Sequence, residues 1–446
     1  REFVTTEEFE GWKATNPFSY RCKYLKGLGS SKTSDAKRWF RDLDRYVKVF
    51  RFDEHAMKNI ERAFGTDTAV RKDILLANPV EDWGGADPFS LSGFMEHYLA
   101  NIYWKDELRT KIPHVMDFLV ESQRKAWCYM PTTSNRVAQQ AAKISEKGGY
   151  HHGEASMINT INNGAQVFKK NIHPFYPDGQ FGSMDTYGGA AQPRYTATRR
   201  EKGIEKWFVE FTQFPENLPH TEVEGDIHEP DYLAPILPAL VNGYVGAIGV
   251  GFSSSIPRYN PKEVYELLHG YLSSDKPFED LANEPELTPW YRGWLGPIKK
   301  TEEGKWMSYG TVAKRTSHTV VVTAIPVEPA IQSWMQLWRK NPLIKKVSNE
   351  SKLVTYNQFG PPIDMMSPKI RVEFRESVED KDVLVALKLH KHLKTSNTGV
   401  NTVVGTDNAD SLVDRRVTED ETLMMTGDML TKLQEDLGTV VRRRQE

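Results

Sequence analysis

Apolar and polar positions recur along the chain with two distinct periods, and these periods predict where helices and strands form. Apolar residues recur every three or four positions between Lys262 and Leu272, directly after Pro261, as in an amphipathic helix that opens on proline. Runs rich in β-branched residues predict strands. The predicted helices cover residues 6–13, 34–43, 112–130, 135–146, 155–168 and 262–272, and the predicted strands cover residues 207–214, 241–252, 319–325 and 370–374.

Three of the predicted helices follow one another closely in the middle of the chain. They occupy residues 112–130, 135–146 and 155–168 and carry basic side chains such as Arg124 and Lys143. Three short helices followed by strands, with basic residues on the helices, are typical of helix-turn-helix and winged-helix DNA-binding proteins. The pattern therefore predicts a winged-helix domain here.

Changes in pattern divide the chain into five segments and predict an α/β multidomain fold. A Gly/Asp/Pro-rich loop at 83–88 indicates a connector. Proline and tryptophan become frequent from about residue 275, together with β-branched strands, so a separate mixed α/β domain begins there. The charged, helical end carries leucines at heptad spacing over about two heptads, fewer than a firm coiled-coil prediction requires. The predicted segments are 1–50, 51–105, 106–274, 275–380 and 381–446.

Composition and charge exclude several classes of protein. The chain has 446 residues, 39% hydrophobic and 26% charged, with a formal net charge of −2, as in an ordinary globular protein of several domains. Any basic surface is therefore local. Cys22 and Cys128, the two cysteines, favour a reducing compartment and exclude a disulfide scaffold or a cysteine metal cluster. The uncharged run 232–257 is broken by glycine and proline, which favours buried strands and turns over a membrane helix, so no membrane partner is expected.

The stretch from Gly188 to Arg200 carries the most distinctive candidate chemistry. Its small residues let another backbone approach closely, and Pro193 fixes the chain direction before Arg194 and Tyr195. A guanidinium beside a phenol favours the phenolate, and arginine also binds phosphate oxygens through two hydrogen bonds. Taken alone, an Arg-Tyr dipeptide is most often ordinary protein surface, so its meaning depends on the rest of the chain.

Four short motifs occur in one order along the chain. They are Lys-Tyr-Leu-Lys-Gly-Leu-Gly at 23–29, Tyr-His-His-Gly-Glu at 150–154, Asp-Gly-Gln-Phe-Gly-Ser at 178–183 and Pro-Arg-Tyr at 193–195. With further matches over roughly residues 5–400, they resemble the DNA breakage-reunion core of type IIA DNA topoisomerases. The first two motifs are closer to the eukaryotic and large-DNA-virus enzymes than to gyrase.

The resemblance implies what the predicted segments are. Residues 1–50 would end a toprim domain, 106–274 would form the winged-helix breakage-reunion domain, and 275–380 would form the tower domain. Residues 381–446 would be a remnant of the helical coiled coil near the exit gate. The family's metal-binding carboxylates are expected upstream of this chain and its ATPase domain outside it. Mg²⁺ ligands and ATP are therefore both expected from elsewhere in the full-length protein.

The resemblance also implies roles for individual residues. Tyr195 matches the nucleophile that forms a 5′-phosphotyrosyl bond, and Arg194 matches the neighbour that steadies the scissile phosphate. Arg124, His151 and His152 match residues that close around that phosphate. The DNA-binding positions expected beside them are Lys26, Lys125, Lys143, Gln180, Arg199 and Ile248.

The chemistry of these residues agrees with the implied roles. A tyrosyl intermediate retains the energy of the broken bond, so resealing needs no external energy, and preorganised cations stabilise the charge that develops on a phosphoryl oxygen. Ile248 matches the isoleucine that the family wedges between base pairs. Seen alone, a His-His pair is more often structural or surface than catalytic, and an isoleucine among glycines is more often core. Only the co-occurrence of the motifs favours the functional interpretations.

Partners follow from the same resemblance. It implies a homodimer that binds one duplex of DNA as a gate and passes a second duplex through it. The expected location is intracellular: the nucleus for a cellular enzyme, and a cytoplasmic viral factory or the nucleus for a viral one. Between Asp117 and Gln123 the family's Gly-Leu-Lys-Pro-Gly is replaced by Phe-Leu-Val-Glu-Ser. This change removes a basic residue near the DNA and indicates a divergent, viral member.

Two other functions remain open from the sequence. A non-catalytic winged-helix DNA-binding protein would keep Arg124 and the basic helices without needing Tyr195, Arg194 and both histidines. A scaffold or dimerisation module would need no constellation around the tyrosine at all. The presence of all these residues favours the DNA-cleaving enzyme over both alternatives.

Overall fold

The computed structural model describes most of the chain, and the described residues fall into two compact units. One unit comprises the described residues of 1–106 and 220–228, and the other comprises those of 107–219 and 229–397. The Lys-Gly-Leu-Gly motif with Lys26, and the heptad leucines of the C-terminal end, lie outside the described residues. The described residues are 2–3, 6–17, 20, 32–47, 49–77, 90–114, 116–220, 222–223, 226–237, 239–273, 287–328, 330–357, 362–394 and 396–397.

Helices dominate the first half of the described chain. In chain order the α-helices are α1 (Thr6–Thr15), α2 (Thr33–Arg41), α3 (Leu43–Tyr46), α4 (Ala56–Phe64), α5 (Thr68–Ala77), α6 (Leu91–Gly93), α7 (Lys105–Lys111), α8 (Glu121–Tyr129), α9 (Val137–Lys147), α10 (Glu154–Ala165), α11 (Val209–Gln213), α12 (Pro261–Leu272), α13 (Ile331–Arg339) and α14 (Asp380–Leu387). A π-helix covers Phe94–Trp104, and 3₁₀ helices cover Val167–Lys169, Ile204–Phe208, Pro215–Asn217 and Ala239–Asn242.

Strands are concentrated in the second half. They are β1 (Asn135–Arg136), β2 (Phe175–Asp178), β3 (Ala197–Arg200), β4 (Glu222–Val223), β5 (Asp226–Ile227), β6 (Tyr244–Gly249), β7 (Phe252–Ile256), β8 (Ile298–Lys300), β9 (Trp306–Tyr309), β10 (Thr311–Lys314), β11 (Thr319–Ala324), β12 (Ile344–Asn349), β13 (Lys352–Tyr356), β14 (Ile363–Ser367), β15 (Ile370–Phe374), β16 (His390–His392) and β17 (Ser396–Asn397). Every pairing between these strands is antiparallel.

The first unit is mainly helical. Helix α1 confirms the helix predicted at 6–13, and the helix predicted at 34–43 is divided into α2 and α3 by Asp42. One compact unit extends across residue 50, where the sequence predicted a boundary. Its buried apolar residues lie on α4, α5 and the π-helix and include Ala56, Ala63, Ile74, Leu75 and Ala100.

Within the second unit, residues 121–200 form what we call the helix–strand module. Helices α8, α9 and α10 enclose one apolar cluster, and a three-stranded sheet of order β1-β3-β2 completes it. Helix α10 lies so close to β2 that a Cβ on Gly164 would come within 2.5 Å of the Phe175 ring. The cluster comprises Ala126, Met130, Val137, Ala141, Ile144, Met157, Ile161, Ala165, Phe175 and Phe181.

Two secondary-structure predictions are wrong, and both errors have a tertiary cause. The helix predicted at 112–130 begins only at Glu121, because the preceding chain turns through Phe118 at a φ of 51° and is fixed by the buried Asp117. Residues 207–214, predicted as a strand, are helical. Trp207 and Phe208 are both buried in one cluster, whereas a strand would point such neighbours to opposite faces.

The predicted strand at 241–252 is a 3₁₀ helix followed by β6 and a turn. Strands β6 and β7 form a hairpin, with Ile248 paired to Ser253 next to the turn. Strand β17 adds to the other side of β7, so the sheet has the order β17-β7-β6. The sheet thus combines the hairpin with a strand from far along the chain.

The last part of the second unit, which we call the mixed α/β module (residues 298–393), surrounds a four-stranded sheet of order β10-β11-β15-β12. Strands β11 and β15 confirm the predictions at 319–325 and 370–374. Val383 and Leu387 of α14 belong to the same buried cluster as the sheet, and β16 pairs with β9. The packing therefore continues past residue 380, the predicted start of the coiled-coil segment.

Candidate active site

Tyr195 lies at the end of the connection between β2 and β3, in a turn whose backbone is fixed on both sides. Its N–H donates to the Gln192 carbonyl over 2.8 Å, and its own carbonyl accepts from Nη1 of Arg136 over 2.9 Å. The next residue, Thr196, is buried, whereas the Tyr195 side chain is 63% exposed. The sequence around Pro193 therefore yields a rigid turn that presents a phenol to solvent.

Arg194 lies against this phenol. Its Cζ is 4.9 Å from the centroid of the Tyr195 ring, which is a cation–π distance, and its side chain is exposed. The structure thus brings together the two residues that the sequence singled out first. Both can reach a ligand without any movement of the backbone.

The Asp178–Ser183 loop runs beside the tyrosine turn and depends on two glycines. Gly179 and Gly182 have φ values of 107° and 95°, and a Cβ on Gly182 would lie 1.9 Å from the Gly188 carbonyl oxygen. Nε2 of Gln166 holds the loop through the Phe181 carbonyl at 2.8 Å. Gln180, predicted to bind DNA, is exposed on this loop. The loop places an amide side chain on the same connection as Tyr195.

Arg124 is buried, and its main partner is Asp117. Its Nε and Nη2 donate to the two carboxylate oxygens over 2.7 and 3.1 Å, and Nη2 also donates to the Leu119 carbonyl. Although burial opposes a charge here, the Asp117 carboxylate holds the pKa of the Arg124 guanidinium above its ordinary value. Nη1 makes no hydrogen bond to the described residues, so one edge of the guanidinium keeps its donors.

Asp117 is the residue of this site that sequence reasoning missed. It is fully buried and also accepts hydrogen bonds from the backbone N–H groups of Leu119 and Leu233, both at 2.9 Å. Arg124 is thereby fixed from a segment more than a hundred residues away. The sequence carried one signal, an acid and a base seven residues apart, but nothing in the sequence indicates that both are buried.

Lys125 was predicted to contact DNA, and the structure gives its ammonium group other partners. Nζ donates to the Gly148 carbonyl over 2.6 Å and lies 2.7 Å from Glu229 and 3.4 Å from Glu121. The side chain is only 4% exposed. In this structure Lys125 ties α8 to the end of α9 rather than adding charge to the surface.

His151 and His152 are exposed in the loop that leads into α10. The His152 ring packs edge-to-face against Tyr150 with centroids 5.3 Å apart, and Tyr150 Oη donates to Ser156 on α10. Both residues directly precede the N-terminal end of α10, where unpaired backbone N–H groups favour an anion. They belong to the same module as Tyr195.

The remaining predicted DNA-binding residues among those described lie on three different elements. Lys143 is exposed on α9, and Arg199 on β3 stacks over Tyr176, with its Cζ 4.2 Å from the ring centroid. Ile248 is 72% exposed next to the tip of the β6–β7 hairpin. An apolar side chain this exposed contributes nothing to the core, so it is available to a partner.

No group of three or more His, Cys, Asp or Glu side chains among the described residues could hold a metal ion. None of the helices that these residues form is long and apolar enough to cross a membrane.

Comparison with known proteins shows what this chain is similar to. The family model of DNA gyrase/topoisomerase IV matches residues 111–426, and the model of the C-terminal associated domain of TOPRIM matches residues 1–107. The predicted domain boundaries within these ranges stay predictions.

Individual relatives agree with the family models. DNA topoisomerase 2 of Invertebrate iridescent virus 6 is 31% identical over 89% of this chain and 35% of the relative. DNA topoisomerase 2 of Candida albicans is 34% identical over 73% of this chain and 22% of the relative. The chain thus spans about a third or less of the length of these relatives.

A solved structure is similar over nearly the whole chain. The DNA-binding, cleavage and re-ligation domain of Plasmodium falciparum topoisomerase II superposes with a TM-score of 0.79 at 26% identity, covering 99% of this chain and 60% of that one. With a family model covering well over half of its residues, this chain belongs to the type IIA DNA topoisomerase family.

Proposed function

We propose that this chain carries the DNA cleavage and rejoining part of a type IIA DNA topoisomerase, with Tyr195 as the nucleophile. The observation that carries the proposal is the tyrosine turn: an exposed phenol, a guanidinium stacked on it and a backbone fixed on both sides. Preorganised groups that need no rearrangement are what a phosphoryl transfer requires.

The proposed reaction exchanges one phosphoester for another. The Tyr195 oxygen loses its proton and attacks the scissile phosphorus, the bond from phosphorus to the 3′-oxygen breaks, and the departing 3′-oxygen takes up a proton. The product is a 5′-phosphotyrosyl bond and a free 3′-hydroxyl. Attack by that hydroxyl reverses every step, so resealing needs no other reactant.

Arg194 and Arg124 would act on the phosphate from different environments. Arg194 is exposed beside the nucleophile and can bind a non-bridging oxygen directly. Arg124 would offer Nη1, while Asp117 holds the rest of its guanidinium. His151 and His152 would close around the same phosphate from the start of α10.

DNA binding would use the helix–strand module as a winged helix. This proposal is supported by three helices packed on a sheet of order β1-β3-β2, with Tyr195 on the connection between β2 and β3. The exposed Lys143, Gln180 and Ile248 would contact the duplex around the cleavage point. Lys125 would support the module from inside.

The whole protein's partners and cofactors belong to the same proposal. We infer a homodimer in which each subunit cleaves one strand of a gate duplex while a second duplex passes through, in the nucleus or a viral factory. Mg²⁺ and ATP would serve the full-length protein. Among the described residues, no cluster of three or more His, Cys, Asp or Glu side chains could hold the ion, so its ligands would come from elsewhere in the full-length protein.

The direct test is covalent trapping of the intermediate. The full-length protein is incubated with supercoiled plasmid, Mg²⁺ and a cleavage poison and then denatured with detergent. We expect protein attached to 5′ ends, and we expect the Tyr195→Phe variant to lose that product entirely. DNA binding by this variant should persist, because the phenol oxygen adds no charge.

Tyr176→Phe is the matched control. Tyr176 is also exposed, also carries an arginine on its ring and lies on β2 of the same sheet. It should leave trapping unchanged. Trapping that survives Tyr195→Phe would contradict the assignment, and DNA binding without any trapping by the wild type would favour the non-catalytic winged-helix alternative.

A further inference from the structure

The connection that carries Tyr195 contains a small hairpin, which we call the tyrosine-loop hairpin (residues 180–191). The Ser183 N–H donates to the Gly188 carbonyl over 3.1 Å, and the Ala191 N–H donates to the Gln180 carbonyl over 2.9 Å. The open end of the hairpin leads into the turn at Pro193 and Tyr195. Its tip, residues 184–187, lies at the opposite end and belongs to none of the three strands of the module's sheet.

The tip docks on the N-terminus of α13 in the mixed α/β module. The carbonyls of Met184 and Asp185 accept from the backbone N–H groups of Ile331 and Gln332 over 3.2 and 3.0 Å. The Asp185 carboxylate also accepts from Nε2 of Gln332 over 2.9 Å. The tip thereby satisfies helix N–H groups that have no partner within the helix, and Met184 is buried in the core of the same module.

A polar network fixes the last residue of the tip. The Tyr187 hydroxyl donates to the Glu328 carboxylate, and it accepts from Nη2 of Arg258 over 3.1 Å. Arg258 also lies 3.7 Å from Glu328 and donates from Nη1 to the Phe168 carbonyl over 3.0 Å. One guanidinium therefore connects the tyrosine-loop hairpin, the mixed α/β module and the chain that follows α10.

Backbone strain marks both ends of the central hydrogen bond. Tyr187 has a φ of 54° and Glu328 a φ of 43°, in the left-handed region that side chains rarely adopt. Only four described non-glycine residues have a positive φ, and two of them are bonded to each other. Such conformations persist only where the surroundings impose them, and they cluster at functional sites.

We propose that Tyr187 and Glu328 are positioning residues for the cleavage reaction: they hold the tip of the tyrosine-loop hairpin on the mixed α/β module and thereby fix the turn that presents Tyr195. The proposal rests on the proposed function. It adds the contacts that hold Tyr195, the nucleophile, in position. Neither residue touches the substrate. Their effect is to raise the fraction of time in which the phenol oxygen is aligned with the phosphorus.

The test compares Tyr187→Phe and Glu328→Gln with the wild-type full-length protein. A nicked duplex oligonucleotide, whose short cleaved end dissociates, makes cleavage irreversible, so the single-turnover rate of phosphotyrosyl formation is measured at saturating DNA. We expect each variant to be about tenfold slower, because a small misplacement of a reacting group lowers the rate strongly. DNA affinity and the fraction of protein that reacts should stay within about twofold.

Two further readouts separate positioning from folding. Hydrogen exchange at the Ser183 and Ala191 amides should accelerate in both variants, because the hairpin loses its anchor. The double variant should be no slower than either single one, since both changes remove the same hydrogen bond. Tyr291→Phe is the matched control: Tyr291 is buried and stacks on Arg258 at 5.0 Å but lies outside the hairpin.

The outcomes are distinct. Slower cleavage with faster exchange at the two amides supports the proposal. An unchanged rate with a smaller reacting fraction and a lower melting temperature would overturn it in favour of a purely structural role. Failure of the wild type to form a phosphotyrosyl bond would instead refute the proposed function, while the exchange measurement would still report whether Tyr187 anchors the hairpin.

Discussion

Two tyrosines of the β2–β3 connection each pair with an arginine, and the two pairs lie in different environments. Tyr195 is 63% exposed with Arg194 stacked on its ring, and neither side chain takes part in the core. Tyr187 is half-buried, bonded to Glu328 and Arg258, and holds its backbone in the left-handed region. The difference teaches that the chemistry of such a pair is decided by what surrounds it.

The exposed pair can bind a ligand because neither side chain hydrogen-bonds to another of the described residues. The side chains of Tyr187 and Arg258 are hydrogen-bonded to each other and to other segments of the chain, so this pair can only position those segments. Variants at Arg194 should therefore change the cleavage rate without changing stability, whereas variants at Tyr187 or Arg258 act on the cleavage rate only through the position of the turn that carries Tyr195.

The largest effect is expected from Arg194→Ala. Removing a cation that stabilises charge in the transition state should slow phosphotyrosyl formation by about 10² to 10³-fold. Since Arg194 is exposed, the melting temperature should stay the same within about a degree. Single-turnover kinetics of the variant measure the rate, and thermal melting of the same preparation measures the melting temperature. An Arg194→Ala protein that melts at a lower temperature but cleaves DNA at the normal rate would contradict this prediction.

Arg258→Met, unlike Arg194→Ala, is expected to lower the stability of the fold. The change keeps an apolar stem on Tyr291 but leaves Glu328 and Tyr187 without their cation, which should lower the free energy of unfolding by about 3 kcal/mol. Urea denaturation measures this loss. Arg199→Met is the matched control, because Arg199 also stacks on a tyrosine but forms no salt bridge with a carboxylate of the described residues; a similar loss there would show that stacking alone is responsible.

Alkaline pH should lower the free energy of unfolding through the Tyr187 phenol. Burial raises the pKa of the Tyr187 phenol above its ordinary value, so the folded state keeps a proton that the unfolded chain releases above about pH 10. This contribution to stability is complete below pH 10 and is lost as pH rises, by about 1.4 kcal/mol per unit. Tyr187→Phe should make the fall less steep in urea titrations between pH 9 and 11.5.

Tyr291 provides an independent check on that titration. Burial raises its pKa to about 12, so Tyr291→Phe should also reduce the slope. If neither substitution changes the slope, groups elsewhere govern alkaline unfolding.

The smallest effect is expected on DNA affinity, where an exposed and a buried lysine should differ. Lys143→Gln removes an exposed charge and should weaken DNA binding about threefold, with one fewer counterion released in a salt titration. Lys125→Gln should leave the salt dependence unchanged and lower stability, because its Nζ is 2.7 Å from Glu229 inside the protein. A salt slope that changes with Lys125 instead would mean that this ammonium group reaches the DNA.

Local pattern predicted the elements whose burial is decided locally. Strand β15 was predicted residue for residue, and α12 within one residue, because each has one regular apolar face. The segment 112–120 was mistaken for helix because its conformation depends on Asp117, which bonds to Leu233 far along the chain. The pattern of apolar residues within a short segment carries no information about so distant a contact.

The same division holds for the site. Arg194 and Tyr195 are sequence neighbours, so their contact could be predicted, and the exposure of Ile248 followed from the resemblance. The burial of Arg124 and Lys125 could not be predicted, since their partners Asp117 and Glu229 reveal themselves only once the chain has folded. Tyr187 carried no signal, because a left-handed tyrosine is imposed by its surroundings.

The pairing of β17 with β7 has a consequence for how the protein is made. Ser396 lies opposite Ser255, so the sheet that carries Ile248 is completed by residues synthesised long after the hairpin itself. Bringing such distant segments together is slow compared with forming local hairpins. A nascent chain must therefore leave the edge of β7 unpaired until the whole intervening module has emerged, and that exposed edge is where a chaperone would be needed during translation.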